Sequence, residues 1–259
     1  MMTSWFMKSL LEVSSGREIS IDKNTTLNEK YEILTDMTPP EGVFPPVNYY
    51  GIGIGGIGEP IKTAYHGAMD GALFEQIPFV VRQLSFDLSP MEALRYRFRV
   101  VQIIDGMQYV FYYLKVFDQV SEQITIKKLV KEESGGASVS LYNTNDPEIL
   151  NPIPRKLAEF DLTKSTFYVV DSRINFSLTR EEKDDIILAY QTLTQSTDIP
   201  AVTELGLFTG LDTETSLGSL EAYVVRAAYF YAIPYELQSM LFTDDITQRY
   251  IDLGGMRMR

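Results

Sequence analysis

The stretch Leu94-Arg95-Tyr96-Arg97-Phe98-Arg99-Val100-Val101-Gln102-Ile103-Ile104-Asp105-Gly106-Met107-Gln108-Tyr109-Val110-Phe111-Tyr112-Tyr113-Leu114-Lys115-Val116-Phe117 sets two runs of β-branched and aromatic residues on either side of Asp105-Gly106. A two-residue type I′ turn needs positive φ at both central positions. Asp-Gly tolerates that at little cost, so the runs are predicted to pair as an antiparallel hairpin. If Ile104 opposes Met107, Val100 faces Phe111 and Phe98 faces Tyr113, an apolar cross-strand stack. The other face then carries Arg95, Arg97 and Arg99, with Tyr112 across from Arg99.

Downstream, Ile124 to Val130 and Ser138 to Tyr142 flank Ser134-Gly135-Gly136 and predict a second hairpin. A strand over Thr166 to Val170 leads to a helix at about 180–195. Thr179 caps it, and Glu182 completes a capping box. Its spacing puts Ile186, Ile187, Tyr190 and Leu193 on one face and sends Glu181, Lys183, Asp184 and Asp185 outward. Ala201 to Phe208 reads as a strand, Asp212 to Ser219 as a polar turn and Leu220 to Tyr231 as the partner strand. Thr243-Asp244-Asp245-Ile246 reads as a helix start, and Arg257 and Arg259 form a basic tip.

Upstream, residues 1–48 read as an extended arm. Pro39, Pro40, Pro45 and Pro46 exclude helix there and favour an extended path that lies over the surface or on another subunit. The opening Met1 to Leu11 is apolar but interrupted by Lys8, and neither a basic leader nor a small-residue cleavage site frames it, so no signal peptide is read. From Tyr49 to Gly58 isoleucine alternates with glycine. This would place Ile52 and Ile54 on one face and leave the other as bare backbone, open to close approach by a second strand or chain. The expected organisation is an arm over 1–48, a glycine-rich segment with hairpin-built sheet over 49–150, and an α+β part over 151–259. The fold class is α+β, dominated by antiparallel hairpin-built sheets, with one or two helices.

The composition narrows function. With 45% hydrophobic residues in 259, the chain can build a proper core. Tyrosine (16) and phenylalanine (14) far outnumber tryptophan (1), a bias towards strands and protein interfaces. A formal charge of −12 repels nucleic-acid phosphates and anionic membrane surfaces, so neither is expected as a partner. No run is long and apolar enough to span a bilayer. The absence of cysteine removes disulfides and thiolate metal sites, which suits folding in a reducing cytoplasm.

Chemistry is sparse. Gly51 to Gly56 satisfies G-x-G-x-x-G, but it follows the proline-rich arm and runs into Glu59-Pro60, so an extended loop is the reading and no cofactor is expected. His66 is the single histidine, and no G-x-S-x-G elbow accompanies it. Asp184-Asp185 and Asp244-Asp245 are sequence neighbours that point apart on a helix, which argues for solvated charge over a paired-carboxylate or metal site. Asp212-Thr213-Glu214-Thr215 lacks the spacing of a calcium loop. No catalytic or metal-binding constellation is expected, and the reading is of a non-enzyme. Arg95, Arg97 and Arg99 beside Tyr112 are read as a sheet face that is solvated or paired with acids of a neighbouring subunit.

The segment Val202-Thr203-Glu204-Leu205-Gly206-Leu207-Phe208 resembles the I-T/S-E-I/L-G-L-F/Y strand that recurs in tail, tail-fibre and other structural proteins of tailed bacteriophages, before a turn and a second strand. The resemblance implies a virion structural protein, foremost a tail or baseplate subunit repeated in a ring and otherwise a neck or capsid component, assembled in the bacterial cytoplasm. Its partners would be copies of itself and other virion proteins. The contact candidates are Trp5, Phe6, Pro45, Pro46, Tyr49, Tyr50, Ile52, Ile54, Arg95, Arg97, Arg99 and Tyr112. The alternative is a β-rich carbohydrate or host-surface binding module, with exposed tyrosines on sugar and turn acids near Asp212 holding calcium.

Overall fold

The computed structural model describes residues 12, 26–55, 73, 75–117, 125–131, 136–141, 165–171, 173–215, 218–232, 246–252 and 256–258. Trp5, Phe6, His66 and Arg259 lie outside them. The fold is α+β with strands dominant. In chain order the main sheet takes β1 (Val47–Gly53), β2 (Gln76–Ile77), β3 (Val80–Gln83), β4 (Tyr96–Ile104), β5 (Met107–Val116), β10 (Glu204–Glu214) and β11 (Leu220–Ala232). Separate small sheets contain β6 (Thr125–Lys131), β7 (Ala137–Leu141), β8 (Ser165–Asp171) and β13 (Met256–Met258), and β9 (Arg173–Thr179) with β12 (Ile246–Asp252). The helices whose spans lie among the described residues are α1 (Leu27–Tyr31), α2 (Pro90–Ala93) and α3 (Arg180–Thr194).

The decisive hairpin forms in the expected register. Asp105 and Gly106 sit at φ 50° and 77°, and Ile104 pairs Met107, Val100 pairs Phe111 and Arg99 pairs Tyr112. Phe98 departs from the pattern: it adopts φ 60°, outside the extended region, and drops out of the pairing. The second hairpin also forms, with Lys127 opposite Leu141. Ile246 opens a strand, not a helix, because residues 246–252 pair along their whole length with β9. β10 runs on to Glu214 before turning, so Asp212 is a strand residue and not part of a loop.

The main sheet runs β11-β10-β1-β5-β3 through antiparallel pairs, with β2 on β1 and β4 on the far side of β5. It curls until the start of β11 meets β4. Side chains bridge this seam. The Glu221 carboxylate accepts the N–H groups of Phe98 (2.7 Å), Arg99 (3.1 Å) and its neighbour Ala222 (2.8 Å). The unusual backbone of Phe98 is thereby compensated, since an unmet buried N–H would cost about 1–3 kcal/mol. Inside the curl Tyr49, Phe98, Phe111, Leu114, Phe208 and Val225 are buried together with Leu27. Each such side chain contributes on the order of 1.5–3 kcal/mol by leaving water.

Leu27 brings a correction. The arm over 1–48, expected to lie over the surface or on another subunit, is over residues 26–48 tied into the sheet of its own chain. Thr26 and Glu29 form a capping box that starts α1, a single turn. Asn28 then reaches β11, where Val224 at φ 54° makes a bulge opposite Gly210. Its amide donates to Ala222 O (3.1 Å) and its oxygen accepts Val225 N–H (2.7 Å), which restores the bonds the bulge interrupts. Pro45 is buried and Pro46 half-buried as the chain enters β1. The sheet draws strands from both sides of the expected divisions at 48 and 150.

The bare glycine backbone is covered from within the chain. Gly51 pairs Gly206. A Cβ at Gly206 would stand 2.9 Å from the Phe208 ring and 3.0 Å from Leu73, and one at Gly51 2.8 Å from the Gln76 amide. Both faces of β1 are occupied: Tyr49, Tyr50 and Ile52 are buried and Ile54 is half-buried. The glycines therefore admit neighbouring side chains, and Tyr49, Tyr50 and Ile52 are taken up inside the chain.

α3 begins at the expected capping box. Its buried residues are Glu182, Lys183, Ile186 and Ala189, so the buried face is turned from the expected one and Lys183 points inward. The turn follows from what Glu182 binds.

Candidate functional site

The arginine row is the natural place to look for function. On a β-hairpin that crosses a curled sheet, its members reach acids on three different segments. Arg97, almost wholly buried, holds Asp212 of β10 through two bonds of 2.8 and 2.9 Å. It also donates to the carbonyls of Ala93, Leu94 and Tyr96. Asp212 accepts the Tyr49 hydroxyl as well (2.7 Å). Arg99 binds Asp87 (2.9 Å), which also accepts the Tyr112 hydroxyl (2.8 Å). Arg95 binds Glu182 of α3. The expected pairing with a neighbouring subunit's acids is thus replaced by pairing inside the chain. Arg95, Arg97, Arg99 and Tyr112 are braces, because curling the sheet brings these acids within reach.

Glu182 is the centre of the most buried charge cluster. Besides Arg95 it holds Lys115 Nζ at 2.8 Å, with both side chains nearly inaccessible. Lys115 also donates to Ser177 O (3.3 Å) and lies over the Tyr50 ring at 5.7 Å. Next to the cluster Arg82 of β3 binds Asp185 of α3 (2.9 Å), which fixes the helix on the sheet. Burial pushes the phenols of Tyr49, Tyr96 and Tyr112 well up, helped at Tyr49 by the Asp212 charge and at Tyr112 by the bond to Asp87. Burial also raises the Glu221 carboxyl, against the pull of its three N–H donors and Arg97.

Chemically these groups neutralise one another. Among the described residues no three acidic or histidine side chains gather as a metal site. Gly51 and Gly53 lie within strand β1, not at the strand-to-helix turn that dinucleotide phosphates require. The described surface also presents large apolar side chains. Phe86 and Met91 are about three-quarters exposed on the segment around Asp87, and Ile103 is 70% exposed near the hairpin tip, with Val101 and Met107 beside it.

Sequence reasoning missed Asn28, Lys115, Glu182, Asp212 and Glu221 as parts of this framework. Two of them carried a signal. Lys115 interrupts the apolar run Val110 to Val116, and Glu221 is the one acid in Leu220 to Ala232. A charge set in an apolar strand needs a partner.

Residues 1–226 match the family of unknown function DUF7208. The chain belongs to that family. In this DUF7208 chain the matched span takes in the curled sheet up to Arg226 in β11, and with it every brace described above. No curated protein and no solved structure matches the chain.

Proposed function

We propose that this DUF7208 chain is a virion structural protein of a tailed bacteriophage, a tail or baseplate subunit that works by packing against neighbours. One observation carries the reading: Arg82, Arg97, Arg99 and Lys115 of the sheet are bound to acids within the chain, while Phe86, Met91 and Ile103 face solvent. Exposed apolar side chains of this size gain burial only against another surface. The strand that resembles phage structural proteins supports it further. Glu204 to Phe208 lies in β10, in the middle of the sheet, and a turn and the long strand β11 follow as in that pattern. The carbohydrate-binding alternative relied on exposed tyrosines and a free Asp212. Here Tyr49, Tyr50, Tyr96, Tyr112 and Tyr113 are buried, and Asp212 is occupied by Arg97 and Tyr49.

The test is quantitative mass spectrometry of purified particles of the phage that encodes the chain. The expected result is a constant ratio of this chain to the major tail proteins through density-gradient purification. Loss of the chain on purification would remove the virion reading.

A further inference from the structure

We propose that β4 pairs with β4 of a second copy of this chain, antiparallel about a two-fold axis at Gln102, so that one sheet continues across two protomers. This deepens the assembly reading by naming one partner, and its physical basis is the strand edge itself.

In a hairpin closed by a two-residue turn, Ile104 and Met107 exchange main-chain hydrogen bonds, and so do Gln102 with Tyr109 and Val100 with Phe111. The N–H and C=O groups of the alternate residues Arg99, Val101 and Ile103 therefore point away from β5. Glu221 takes the Arg99 N–H. Beyond that point, among the described residues, β4 has no other strand beside it and the outward groups of Val101 and Ile103 meet no hydrogen-bond partner. Their side chains are 43% and 70% exposed.

Free edges in soluble proteins are usually blunted by a lysine, a proline or a bulge. Val100-Val101-Gln102-Ile103-Ile104 has none of these and is made of strong strand formers. Its pattern is also nearly the same read in either direction. With two antiparallel copies centred on Gln102, Val101 stands opposite the partner's Ile103 and Val100 opposite the partner's Ile104. Val101 and Ile103 then exchange four main-chain hydrogen bonds with their counterparts. Four β-branched pairs meet and no charge enters the contact, while the two Asp105 tips lie at opposite ends. The net charge of −12 on each copy opposes association at long range, so the dimer tightens as salt is added.

Sedimentation velocity over a concentration series tests this on the full chain. The wild type is expected to form a dimer. Two doubly substituted chains, Val101→Lys with Ile103→Lys and Val101→Glu with Ile103→Glu, should each raise the dissociation constant more than roughly tenfold, because like charges then face each other. Mixed, they should form a heterodimer, since every lysine meets a glutamate; this also shows that both variants are folded. Gln102→Cys adds a register test. The chain has no cysteine, and residue 102 would face its own copy at a non-hydrogen-bonded position, where Cα atoms are within disulfide reach. A covalent dimer should appear on mild oxidation. A wild type that stays monomeric up to its solubility limit, or lysine variants that dimerise as well as it does, would overturn the proposal. Dimerisation of a chain missing from particles would remove the virion reading alone, and a monomer that is present in particles would remove this contact alone.

Discussion

Raised above pH ~10, the protein is expected to unfold in one cooperative step, with its buried tyrosines ionising in that step and not one by one. Tyr49, Tyr96, Tyr112 and Tyr113 are all less than one-tenth exposed. Burial raises each phenol, that of Tyr113 to about 12 and the other three further. The direction follows from linkage. Below the unfolded value of about 10 both states keep their phenolic protons, and the contribution to stability is fully present. Above it the unfolded chain releases protons that the folded chain retains, so stability falls with rising pH towards the folded values. One proton of difference changes stability by about 1.4 kcal/mol per pH unit, and four change it by on the order of 5 kcal/mol per unit. A domain holds only about 5–15 kcal/mol, so unfolding should follow within about two pH units. Tyrosinate absorbance and far-ultraviolet circular dichroism recorded in parallel check this. Tyrosines that titrate at their ordinary value while the dichroism is unchanged would contradict it.

Glu182→Ala is expected to cost about 3–5 kcal/mol, because it leaves Lys115 charged and buried with only the Ser177 carbonyl and the Tyr50 ring beside it and no opposite charge. The same change removes half of the capping box at Thr179, worth about a further 1 kcal/mol. Lys115→Met alone should cost less, since Glu182 keeps Arg95. The double variant should lie well above the sum of the two singles, as apolar replacement of both partners removes the desolvation penalty along with the attraction. Denaturant unfolding of the four proteins gives the coupling energy. Additive losses would show that Glu182 and Lys115 do not act on each other.

Local chemistry explains what the sequence disclosed. Asp105-Gly106 fixes a turn type, the turn fixes the register, and the register of the whole hairpin was readable from those two residues. Thr179 and Glu182 likewise marked the start of α3. The partners of the arginines were not readable, because they lie 12, 87 and 115 residues away for Arg99, Arg95 and Arg97, and only the curl of the sheet brings them near. The same curl buries both faces of β1. Alternation there says nothing about which side faces solvent, so the contact candidates Tyr49, Tyr50 and Ile52 give no sequence sign of being buried in the chain's own sheet. Prolines near 39–46 suggested an arm because proline excludes helix, but a non-helical chain can still be fastened, here by Asn28 just before it. Trp5 and Phe6 fall outside the described residues.

Charged side chains close the sheet on itself, and among the described residues the outer part of β4 stays open. Hydrogen exchange of individual backbone amides, followed by NMR on dilute protein, reads both halves at once. Phe98 and Arg99, bound to Glu221, should exchange slowly in the wild type and rapidly in Glu221→Gln, while Val101 and Ile103 exchange rapidly in both. Phe98 and Arg99 amides that exchange in the wild type as fast as those of Val101 and Ile103 would contradict it.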